Sequence, residues 1–185
     1  VAKMPKGVLV GTLGQFIIMP MMGFTLAHVL TFPPEIAAGI ILIGCSPAGM
    51  ASNVMSYLAK ANLALSVTLT TITTLLAPFV TPFLMSLLAG EFIEVDVFKM
   101  MWDIIKMVIV PIGAGLAFNK IFRGKAKWLH DAMPYLSMGG IALIIVVITA
   151  AGRNSLLEIG MMLIVSSLIH NVSGYFLGYW SGRLF

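Results

Sequence analysis

The chain has 185 residues, 59% of them hydrophobic and only 10% charged, a balance that excludes an ordinary soluble domain and is typical of a polytopic membrane protein. Its net charge of +4 does not point to nucleic acid, because the basic residues fall in short connections between apolar runs. A single cysteine, Cys45, leaves no intrachain disulfide to form.

Six apolar runs can be cut from the sequence. Each is about 20 residues or longer, enough to cross a hydrocarbon core roughly 30 Å thick. They cover Val8 to Leu30, Ile36 to Ala59, Leu63 to Ala89, Val97 to Phe118, Trp128 to Ala151 and Leu156 to Trp180. Charge sets the orientation. Lys3, Lys6, Lys60, Lys120, Arg123, Lys125, Lys127 and Arg183 fall on one side, whereas Lys99 and Arg153 fall on the other with Glu35, Glu91, Glu94, Asp96 and Glu158. The basic side is cytoplasmic by the positive-inside rule, so the first run climbs outward and the sixth descends inward. The expected setting is the lipid bilayer of a bacterial inner (plasma) membrane.

The second run is interrupted where a helix should continue, at Gly44 to Asn53. Pro47 removes a backbone donor and clashes with the preceding turn, while Gly44 and Gly49 let the chain leave helical angles. Unpaired amides and carbonyls at membrane depth are tolerated only where they are buried in protein or line a cavity, which marks this stretch as a binding site. Ser46, Gly49, Met50 and Ala51 are the expected substrate-binding residues. Ser52 and Asn53 open a second half-helix, whose amino-terminal amides favour an anion and whose side-chain oxygens suit a cation.

The third run adds Ser66, Thr70, Thr73 and Thr74 at helical spacing, with Ser66 and Thr70 on one face. Neutral oxygens without clustered carboxylates suit a weakly held monovalent cation, sodium, better than zinc, calcium or magnesium. Gln15 in the first run is a further polar group inside an apolar segment, available to an ion or to the broken backbone. The bland alternatives are a helix cap at Ser52 and Asn53, and back-bonding or interhelical glue at Ser66 and Thr70. His170 and Asn171 in the sixth run are read as structural hydrogen-bonding groups, with a proton relay at His170 as the alternative. His28 is expected to be solvated. No phosphate loop, Ser/His/Asp set or metalloprotease motif occurs, so neither an enzyme nor an organic cofactor is expected.

The first and sixth runs correspond weakly, Leu13-Gly14-Gln15 and Gly23-Phe24 matching Leu168-Ile169-His170 and Gly178-Tyr179 at equal spacing. Opposite directions would make them an inverted repeat, and a second broken helix is then expected after residue 185. On that reading the sequence is a fragment.

Gln15-Phe16 with Met19-Pro20, Ser46-Pro47-Ala48-Gly49-Met50-Ala51-Ser52-Asn53-Val54, Ala64-Leu65-Ser66-Val67 with Thr70, and His170-Asn171 with Gly174-Tyr175 together resemble the bile acid:sodium symporters, over nearly the whole chain. The resemblance implies an all-α membrane protein: six transmembrane segments, family helices three to eight, of a ten-helix inverted-repeat transporter. Residues 1–96 would be core-domain helices, 97–151 panel-domain helices and 152–185 a core helix of the second repeat. It implies sodium-coupled uptake of a small organic anion, with Ser52, Asn53, Ser66 and Thr70 at a first sodium site and Gln15 at a second. Ala48 and Met50 depart from the usual glycine and small polar residue, pointing away from bile acids. A sodium-independent or proton-coupled carrier of the same fold and a structural membrane subunit are the competing functions.

Overall fold

The computed structural model describes residues 5–49, 51–122, 135, 138, 139, 142, 143 and 145–184. Met50 and Trp128 lie outside them, as does much of the fifth run. The described elements are helices: α1 (Pro5–Val29), α2 (Pro34–Cys45), α3 (Ala51–Leu58), α4 (Leu63–Ala89), α5 (Val97–Phe122) and α6 (Arg153–Leu184). Two compact units divide the chain, Val1–Val108 with Leu168–Phe185, and Ile109–Ser167. The first unit holds the interrupted helix and the helices around it.

Three helices among the described residues are long and apolar enough to cross a membrane: α1, α4 and Leu156–Arg183 within α6, while α2 is a shorter apolar helix. On α4, Thr70, Thr73, Ala77, Thr81 and Met85 are buried at helical spacing, whereas Leu75, Phe79 and Phe83 are exposed on another face. Such an apolar exterior is costly in water and suits a hydrocarbon surround. The Phe176, Tyr179 and Trp180 rings gather near the end of α6, with the Arg183 guanidinium 5.8 Å from the Trp180 ring centre, as interfacial side chains do.

α1 packs on α2 through two close backbone approaches. A side-chain carbon added at Gly23 would stand 2.9 Å from the Ile40 carbonyl oxygen, and one added at Gly44 would collide with the Met19 carbonyl. Pro20 is buried beside this contact and has no amide to give to the helix turn below it. Small residues at these positions let polar backbone meet polar backbone, as in other helix pairs in membranes.

α2 begins on Pro33-Pro34, where a missing amide costs nothing, and stops at Cys45. Ser46 takes φ −75° and ψ 150°, because the ring of Pro47 excludes the helical region for the residue before it. Helix resumes at Ala51, which places the interruption where the sequence predicts it.

α3 and α4 are joined by a compact turn. Lys60 adopts φ 53°, the Lys60 amide donates to the Tyr57 carbonyl and the Ala61 amide to the Ser56 carbonyl, a Schellman closure of α3. Asn62 then caps α4, its Oδ1 accepting the Leu65 amide at 3.0 Å. This turn fixes the register of α3 on α4.

Candidate cation and substrate site

Asn53 is the third residue of α3, and the register just described carries its side chain to α4. Asn53 Oδ1 accepts a hydrogen bond from Ser66 Oγ at 2.7 Å and lies 3.2 Å from Thr70 Oγ1. Three oxygens from two helices therefore converge without a carboxylate among them. The Thr70 hydroxyl has an alternative acceptor, the Ser66 carbonyl at 3.0 Å. One proton cannot serve both, so the Thr70 oxygen can turn its proton to α4 and its lone pairs to the cluster.

Ser52 is placed differently. Its hydroxyl is exposed and donates to the Gly49 carbonyl at 2.7 Å, bending the chain into α3 rather than entering the Asn53 cluster. Gln15 also stands apart from the cluster: Nε2 donates to the Ser46 carbonyl at 3.0 Å across the interruption. That bond satisfies a carbonyl freed by the end of α2. Gln15 also lines a cavity of about 370 Å³ together with Lys6, Gly11, Leu69, Gly174 and Ser181. Of the substrate-binding expectations, Ser46 is half-buried with its hydroxyl turned back to the Leu42 carbonyl at 2.8 Å, and Gly49 and Ala51 are exposed.

Thr73, already on the polar stripe of the third run, and Thr81, beyond the end of that stripe, also hold the interruption. Thr81 Oγ1 donates to the Cys45 carbonyl at 2.8 Å, and the Ala48 amide donates to Thr73 Oγ1 at 3.3 Å. The signal was present: Ser66, Thr70, Thr73, Ala77 and Thr81 follow spacings of three and four along one face, and a stripe ended at Thr74 misses its upper half. Carbonyls 45 and 46 and amide 48 are thus each met by a side chain from a continuous neighbouring helix. That is the condition under which broken backbone persists at membrane depth.

His28 is partnered rather than merely solvated. Its Nε2 is 2.8 Å from Glu91 Oε1, and its ring contacts those of Phe24 and Phe92. Lys106 Nζ lies 3.4 Å from Asp103 Oδ1, a local exposed pair. His170 is 3% exposed, and neither ring nitrogen has a hydrogen-bond partner among the described residues.

Residues 1–170 match the Sodium Bile acid symporter family. The chain belongs to that family. This symporter-family chain is 43% identical over 182 residues to an uncharacterized sodium-dependent transporter of Bacillus subtilis, covering 98% of the chain and 57% of the relative. A probable chloroplastic sodium/metabolite cotransporter of Arabidopsis thaliana is 34% identical over 182 residues, with 98% and 45% covered. A rice protein of the same description is 35% identical over 180 residues, with 97% and 44% covered. The chain thus spans about half the length of the curated relatives it matches. Membership agrees with the apolar helices in making this an integral membrane protein of a transporter family.

Proposed function

We propose that the protein is a sodium-coupled symporter of a small organic anion in a bacterial inner membrane. The observation that carries this reading is the convergence of Asn53, Ser66 and Thr70 oxygens beside an interrupted helix. Asn53 Oδ1 would lie against the ion, with the two hydroxyls turning their protons away to present lone pairs. Uncharged ligands keep the attraction modest, so an ion can be released as well as bound. Ser52 and Gln15 belong to the proposed ion ligands as well; Ser52 opens the same half-helix, and Gln15 keeps Oε1 for a second ion while Nε2 holds Ser46.

The anion is assigned to Ser46, Gly49, Met50 and Ala51, at the amino-terminal, partly positive end of α3. A cation nearby would add attraction, and one ligand ordering the interruption lowers the cost for the other, so the two bind cooperatively. Residues 1–96 and 152–185 are proposed as the core that carries this site and 97–151 as the panel. The family description and the sodium in the names of the relatives support the ion, and the Bacillus relative supports a bacterial setting.

The test is uptake by the full-length protein in proteoliposomes, using a panel of labelled carboxylate metabolites under an inward sodium gradient. Uptake should collapse when potassium replaces sodium, and equal uptake in the two salts refutes the coupling. The imidazole of His170, buried and without a hydrogen-bond partner among the described residues, favours one second reading, a proton-coupled carrier. Uptake driven by a pH gradient without sodium would select it.

A further inference from the structure

The Thr73 hydroxyl occupies a junction. Its oxygen accepts the Ala48 amide from the interruption, while its proton goes to α4, with the Leu69 carbonyl at 2.8 Å and the Thr70 carbonyl at 3.2 Å. The residue is 1% exposed, so water does not compete for these bonds. Thr70 in turn places its own Oγ1 at 3.2 Å from Asn53 Oδ1. A single buried hydroxyl therefore ties the segment just after Pro47 to the turn of α4 that enters the oxygen cluster.

The other ties act elsewhere. Thr81 and Gln15 grip the carbonyls of Cys45 and Ser46, before Pro47, and so anchor the end of α2. Ala48 lies beyond the proline, between that anchored end and the start of α3. Its amide is engaged by Thr73, which removes it from the donors open to an anion and makes its position depend on α4.

We propose that Thr73 is a positioning residue, through which the conformation of the Ala48 segment and the geometry of the Asn53, Ser66 and Thr70 cluster are coupled. The inference rests on the sodium reading of that cluster. It adds that sodium affinity depends on a hydroxyl that does not touch the ion. Ordering of the segment by Thr73 is then part of what an arriving cation would otherwise have to supply.

Thr73→Val keeps the branched shape and deletes the hydroxyl. The full-length protein, purified in detergent, is unfolded thermally over a series of sodium chloride concentrations, with potassium chloride holding ionic strength constant. A ligand that binds only the folded state raises the midpoint, so the curve reports the half-saturating sodium concentration. Loss of one net hydrogen bond predicts a rise in that concentration of roughly three- to tenfold for Thr73→Val. Thr73→Ser should restore the wild-type value.

A midpoint lowered equally in sodium and potassium, with half-saturation unchanged, would give Thr73 a purely structural role and overturn the proposal. If Thr73→Val does not fold, Thr73→Cys supplies the same reading through a weaker acceptor, and unchanged half-saturation in that variant overturns the proposal equally. A wild-type midpoint indifferent to sodium would remove the sodium reading itself, and this inference with it; that outcome is visible before any variant is made.

Discussion

Gln15 Nε2 reaches from a continuous helix to the Ser46 carbonyl at 3.0 Å, closing a hydrogen bond that the end of α2 leaves open. Gln15→Leu removes the donor and strands a half-buried carbonyl, which costs about 1–3 kcal/mol. Gln15→Glu, ionised, can accept but not donate, so it should fail in the same way. The expected result is a lower thermal midpoint of the full-length protein for both variants already in potassium, where no sodium ligand is at stake, with Gln15→Leu also losing part of the stabilisation by sodium. Wild-type midpoints for both would show that Gln15 does not support the interruption.

Asn53 is the acceptor shared by Ser66 and, through one of its two options, Thr70. Asn53→Ala deletes the central oxygen, and sodium should then cease to raise the thermal midpoint at concentrations that saturate the wild type. Ser66→Ala removes one peripheral oxygen and should raise half-saturation by about tenfold, the scale of a net interaction near 1.4 kcal/mol. Undiminished sodium stabilisation in Asn53→Ala would leave the cluster as interhelical glue.

Gly44 and Gly39 lie on one helix in opposite circumstances. A methyl at Gly44 meets the Met19 carbonyl, whereas a methyl at Gly39 meets nothing within 4 Å. Gly44→Ala should therefore force α2 away from α1, at a cost of about 1–3 kcal/mol or more. Gly39→Ala should be neutral or stabilising by roughly 0.5–1 kcal/mol, since alanine is the better helix former. Denaturant or thermal midpoints of the pair check the contrast; equal effects would contradict the close approach.

Thr31 and Lys60 hold φ of 46° and 53°, a region that non-glycine residues enter at a cost, the β-branched threonine most of all. Both end helices. Thr31→Gly and Lys60→Gly should each stabilise by up to about 1 kcal/mol, the relief of left-handed strain partly offset by the greater freedom of glycine when unfolded. A rise of the thermal midpoint in each variant is the check.

Apolar runs, proline and glycine placement, and the Ser66/Thr70 spacing were legible in the chain because each is a local property. Length and hydropathy mark spans, proline forbids helix before itself, and residues four apart share a face. The limits of α1 and α4 follow the sequence runs to within a few residues for the same reason.

Thr81 escaped notice because its importance depends on a carbonyl 36 positions earlier, that of Cys45. A threonine in an apolar helix can bond its own preceding turn, as Thr68 and Thr71 do, and composition does not distinguish those from Thr81. Likewise, Ser52 and Asn53 are neighbours with similar chemistry. Only the turn at Lys60 to Asn62 decides that Asn53 faces α4 while Ser52 closes on Gly49.

The sequence by itself determined that the chain crosses a membrane and where its second run breaks, since burial in lipid and the geometry of proline act on adjacent residues. The tertiary structure decided which side chains meet the broken backbone and which oxygens gather around Asn53. Hydrogen bonds select partners by distance and direction in space, and those were set only when α1, α2, α3 and α4 packed.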